Sequence, residues 1–128
     1  MRSKVKFLII LMFAFLSFSA FATSSSLESV QLAEGIEALA AKDYDKTLKI
    51  AQTLVREYPP NVQHYELLAN ALIAKHRFRE VEMLVSRLES ENRASPHLYL
   101  RKAQAVFFLG EYVKSLSVLR KMEREFEK

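Results

Sequence analysis

The chain has no cysteine and no tryptophan, and only two glycines and three prolines in 128 residues. Without cysteine there are no disulfides, no thiolate metal sites, no cysteine nucleophile and no lipid attached through an amino-terminal cysteine. So few chain breakers do not suit a β-sandwich, which needs a turn every 8–12 residues, and favour long helices instead. No glycine-rich phosphate loop occurs, and no serine sits in a nucleophile elbow. The three histidines, His64, His76 and His97, lack the i,i+3 or i,i+4 spacing of metal ligands. A structural or surface role is therefore expected for each. Neither enzyme activity, nor a metal, nor a cofactor is expected.

An excess of basic charge is also missing once the amino terminus is set aside. The chain has 19 Lys and Arg against 15 Asp and Glu. Arg2, Lys4 and Lys6 account for most of the excess, so no nucleic-acid partner is expected. These residues precede an apolar run from Phe7 to about Leu16, followed by Ala20-Phe21-Ala22. The run is short for a membrane-spanning helix of roughly 20 residues, and small residues at 20 and 22 fit a signal peptidase site. The expected organisation is a signal peptide over 1–22, cleaved near Ala22-Thr23, and a polar leader over 23–27. The mature chain would be exported, periplasmic or secreted, touching the membrane only transiently. An uncleaved signal anchor is the alternative.

Beyond the leader the sequence aligns with itself at a shift of 34 over 28–61, 62–95 and 96–128, without gaps. Small residues recur at Gly35, Ala69 and Ala103, and aromatic ones at Tyr44, Phe78 and Tyr112. Further columns are Ala38, Leu72, Val106; Ala51, Val85, Leu119; and Leu54, Leu88, Met122. A period of this length marks stacked supersecondary units. The small column lets two antiparallel helices approach closely; the aromatic one opens the second helix and fills the gap to the first. Ser25-x-x-Glu28 reads as a capping box, Asn61 as an N-cap, and Ser95-Pro96 as an N-cap followed by proline at the first helical position. Six helices are expected, over 27–40, 44–57, 62–75, 78–92, 96–109 and 112–127.

These columns resemble the tetratricopeptide repeat family. Gly35, Tyr44 and Pro59 match its pattern in the first unit, Tyr65, Leu68, Ala69 and Phe78 in the second, and Tyr99, Ala103, Gly110, Tyr112 and Ser115 in the third. Glu34 and Lys102 replace the usual Leu, Thr47 and Val81 are bulkier than the usual Ala, and no closing proline follows the second and third units. The resemblance implies an all-α, right-handed solenoid of three α-hairpins whose first helices line a concave groove. By the same resemblance the groove-facing positions are Leu32, Ile36 and Leu39, then Glu66, Asn70 and Ile73, then His97, Leu100, Gln104, Phe107 and Phe108. Some chaperone-binding relatives hold a C-terminal carboxylate with a basic and asparagine clamp. Leu32 and Ile36 stand where that clamp needs Lys and Asn, so an apolar segment, such as an amphipathic helix, is the expected occupant. Resemblance to exported bacterial members implies a non-catalytic adaptor in envelope assembly, secretion or pilus machinery.

Three surfaces carry the functional expectations. Phe107 and Phe108 are partner anchors unless one of them packs on the last helix. The basic turn Lys75-His76-Arg77-Phe78-Arg79 suits an acidic partner, phosphates or lipid headgroups unless it is merely a solvated turn. The polar last helix is its own cap, or else its exposed face joins copies of the chain. Charge rises along the units, with four basic residues against six acidic in 28–61, five against five in 62–95 and seven against four in 96–128.

Overall fold

The computed structural model describes residues 26–127. Within them the chain is all-helical. Helix α1 runs over 26–40, α2 over Tyr44–Glu57, α3 over Val62–Ala74, α4 over Phe78–Ser90, α5 over Pro96–Phe108 and α6 over Tyr112–Phe126. The expected signal peptide, its cleavage site and the Ser25 end of the capping box lie outside the described residues. Ser26, one residue before the expected start of the first helix, is already helical.

Local chemistry explains where the helices start. Asp43 caps α2 by accepting the Lys46 amide at 3.3 Å. Asn61 caps α3 by accepting the Gln63 amide at 3.0 Å. Ser95 caps α5 by accepting the Leu98 amide at 3.3 Å, with Pro96 in the first turn, where its missing N–H costs nothing. α4 and α6 follow tight turns and have no side-chain cap.

The helix ends are built on one device. Lys42, His76 and Gly110 all have positive φ, at 61°, 59° and 82°. After each, an amide reaches back five residues: Asp43 to the Ala38 carbonyl, Arg77 to Leu72 and Glu111 to Val106, all at 2.9 Å. This left-handed termination satisfies carbonyls that the helix leaves open. Asn92, at φ 55°, ends α4 in the same way, with the Arg93 amide 2.8 Å from the Leu88 carbonyl. It therefore stops α4 at Ser90, two residues short of the end expected from sequence. Between α2 and α3 the Pro59-Pro60-Asn61 break takes the place of this turn.

Sequential helices pack on one another, and α3 also packs on α5. α1 lies close on both α2 and α3 at Gly35. A Cβ there would meet Leu67 Cδ2 at 2.6 Å and Ile50 Cγ2 at 3.1 Å, so a side chain would force the helices apart. Ala69 and Ala103 are buried in the following hairpins. The principal core runs through α2, α3 and α4 into α5, with Leu54, Tyr65, Leu72, Val81, Val85, Leu88 and Leu98 at its centre. Each fully buried Leu there contributes roughly 1.5–3 kcal/mol. A second, smaller cluster of Tyr99, Ala103 and Val118 joins α5 to α6.

His64 is fully buried between the first two hairpins. Its Nδ1 lies 3.2 Å from the Tyr58 carbonyl oxygen. Its Nε2 lies 3.1 Å from a Glu28 carboxylate oxygen, close enough for an ion pair but not aligned as a hydrogen bond. That oxygen also accepts the Asn61 amide group at 2.9 Å. Glu28 thus ties α1 to the α2–α3 connection.

Candidate functional site: the α1–α3–α5 face

The odd-numbered helices share one face, and a depression of about 260 Å³ opens on it. Its lining comprises Leu32, Ile36 and Leu39 from α1, Gln63, Glu66, Leu67 and Asn70 from α3, and His97 from α5. Six of the eleven positions proposed from sequence therefore meet at one place. Ile73 instead packs partly buried against the principal core. Leu100 is exposed, and Gln104 is engaged by a neighbour that sequence reasoning missed.

That neighbour is Arg101. Its Nε donates to Asn70 Oδ1 at 2.6 Å, and its Nη1 donates to Gln104 Oε1 at 2.9 Å. His97 Nε2 lies 3.1 Å from the same Asn70 oxygen and 3.3 Å from Arg101 Nε. One nitrogen cannot donate to Asn70 and accept from Arg101 in a single tautomer. Asn70 Oδ1 has two lone pairs, so the consistent assignment has Arg101 and His97 both donating to it. Glu66, on the same wall, accepts the Ser95 hydroxyl at 2.7 Å. A polar strip thus crosses an otherwise apolar face. The only trace of Arg101 in sequence is its place one turn after His97; the preceding column member, Leu67, is apolar and buried.

Phe107 and Phe108 lie further along α5, 52% and 56% exposed. They belong to a run of rings at the turn end of the helices. His76 stacks on Phe78 at 5.5 Å, Phe78 on Phe108 at 5.1 Å, and Phe107 meets both Phe108 at 6.0 Å and Tyr112 at 5.0 Å edge-on. Each phenylalanine is braced on one side and open on the other. A wider, shallow depression over Gly110, Tyr112, Val113, Lys114 and Ser117 continues this surface onto α6.

The basic turn is matched by carboxylates of α4 itself and of neighbouring elements. Lys75 pairs with Asp45, Arg77 with Glu80, and Arg79 with Glu82 at 2.9 Å and Glu111 at 2.8 Å. With its cations neutralised, the turn has little to offer an anion. Glu82 also takes Lys114, whose hydrogen bond is the main reason its carboxyl is held below the usual range. Deeper in the same seam Glu89 bonds Lys102 at 2.7 Å and Lys121 at 2.9 Å. Burial pushes the Glu89 carboxyl up, but the two lysines together outweigh it and leave its pKa below the ordinary value.

Among the described residues no group of three His, Cys, Asp or Glu could hold a metal ion, and no helix is long and apolar enough to cross a membrane. No family model, curated protein or solved structure matches the chain.

Proposed function

We propose that the chain is an exported, non-catalytic scaffold of the tetratricopeptide kind. In this proposal a signal peptide over 1–22 and a short leader precede three repeats over 28–61, 62–95 and 96–128. The repeats form a right-handed solenoid that binds a protein segment on its α1–α3–α5 face in the periplasm or cell envelope. Three left-handed helix terminations 34 residues apart, at Lys42, His76 and Gly110, support the repeat. The observation that carries the binding role is the depression in which Leu32, Ile36 and Leu39 face Glu66, Asn70 and His97. An apolar wall opposite a few placed polar groups suits an amphipathic helix, whose apolar side meets the wall while its flank meets the polar strip.

The test is affinity capture from envelope extract on the full chain carrying a carboxyl-terminal tag, beside an Ile36→Glu version and a Phe107→Glu/Phe108→Glu version of unchanged helicity. A partner held by the first bait and lost from both variants supports the adaptor role. Recovery of copies of this chain alone, or of nothing, removes it.

Self-association is the second reading, favoured by Val113, which is 85% exposed beside exposed Tyr112 and Leu116 on α6. It expects a mass in sedimentation velocity that grows with concentration and returns to monomer in Val113→Glu. A retained membrane anchor would instead show as a mature mass that includes residues 1–22.

A further inference from the structure

Among the described residues five cations have no carboxylate partner: Lys42, Lys49, Arg101, Arg120 and Arg124. Four of these are exposed to solvent. Arg101 is not exposed. It is held on the α1–α3–α5 face by neutral acceptors alone, Asn70 Oδ1 at 2.6 Å and Gln104 Oε1 at 2.9 Å. Its Nη2 has no acceptor among the described residues. Glu66, the acid that lines the depression, is turned to Ser95. Neutral amides orient a guanidinium without cancelling its charge, so its plane is held at Nε and Nη1 and Nη2 is left for an anion. Elsewhere in this protein half-buried cations are supplied with carboxylates, as Lys102 is by Glu89.

We propose that Arg101 is a specificity determinant that takes the side-chain carboxylate of a Glu or Asp inside the bound partner segment. This rests on the binding role proposed above. The charge left on Arg101 is the complement that selects an acid. The apolar surface on both sides of it selects an internal acid rather than a chain end. Ile36 and Leu39 line the depression that Asn70 joins, and exposed Leu100 and Phe107 stand before and after Arg101 along α5. A segment that fills both must continue past the guanidinium in both directions. The recognised element is therefore an apolar helical face interrupted by one acidic residue.

The experiment uses two display libraries of random segments about 16 residues long, enough for four helical turns. One library is embedded between display-protein sequences, and the other ends in a free carboxyl terminus. Both are selected on the immobilised full chain and on its Arg101→Gln and Arg101→Lys versions, with helicity checked by circular dichroism. Embedded segments enriched for one Glu or Asp among apolar residues are expected on the native chain. Replacing that acid by its amide should weaken binding about tenfold or more, as expected for charge-assisted hydrogen bonds. The acid preference should vanish on Arg101→Gln and return in part on Arg101→Lys. Purely apolar binders, or an acid preference unchanged by Arg101→Gln, overturn the role of Arg101 and leave the groove intact. Binders from the free-terminus library alone show a carboxyl-terminal ligand and also overturn it. If neither library yields a binder on the native chain, the binding face and Arg101 fail together.

Discussion

The principal core and the last helix, α6, are held by different forces. α2, α3 and α4 share the principal core, in which Leu54, Val81, Val85 and Leu88 are buried. α6 is fastened by a small cluster around Tyr99, Ala103 and Val118, and by lysines that reach Glu82 and Glu89 on α4. Apolar burial carries no titratable charge, whereas ion pairs are screened by salt and lost as their carboxylates protonate. The difference leaves α6 as the less firmly attached part of the fold. It also leaves α6 with apolar residues in excess of what its own cluster buries, so the weaker end is also the stickier one.

Truncation should expose this contrast most strongly. Leu88→Ala, which removes a fully buried side chain from the principal core, should cost about 3 kcal/mol in urea unfolding, within the usual range for such deletions. Val118→Ala, in the smaller cluster, should cost about 1 kcal/mol. Equal losses would mean that the two regions are not distinct.

Next in size is the buried carboxylate of the seam. Glu89 is 10% exposed and Lys102 12%, but Lys121 is 45% exposed, so part of the interaction is screened. Glu89→Gln should therefore cost about 2 kcal/mol, below the usual range for breaking a fully buried pair. The Glu89 carboxyl titrates lower in the folded chain than in the unfolded one. Its contribution is therefore complete above the ordinary carboxylate range and is lost as pH falls through the depressed value. Hydrogen exchange should show α6 amides losing protection on acidification before those of α3, and Glu89→Gln should reduce that difference.

The smallest effects belong to the turns. Gly110 has open space around it but a φ of 82°, so Gly110→Ala should cost about 1 kcal/mol through backbone strain alone. Lys42 holds the same conformation with a side chain, so Lys42→Gly should stabilise the chain by about 0.5 kcal/mol. Thermal melts of the two variants moving in opposite directions would establish that the turns share one geometry.

Much of the helical pattern is legible in the sequence. Asn61 and Ser95 announce helix starts because cap chemistry is local, and Gly35 announces a close approach because only a missing side chain allows it. The six-helix pattern follows from such signals together with the apolar periodicity. The charged seam was not legible. Glu82 with Lys114 and Glu89 with Lys121 are each 32 residues apart, and only the stacking of hairpins brings them together. The same cause hid the neutralisation of the basic turn by Asp45 and Glu111. On the α1–α3–α5 face, apolar and amide positions could be placed through the family resemblance, but Arg101 could not. Its significance lies in having no carboxylate beside it, which is a property of the folded surroundings and not of the local pattern.

The two apolar surfaces, the α1–α3–α5 face and the exposed side of α6, make rival claims on function. The most direct measurement places the photocrosslinking residue benzoylphenylalanine at Leu100 or at Val113 in the full chain and irradiates intact cells. The adaptor account predicts a discrete crosslink to a different protein from Leu100, competed away by an acid-bearing apolar peptide. Crosslinks from Val113 to the same chain, with none from Leu100, would contradict it and make self-assembly the function of this fold.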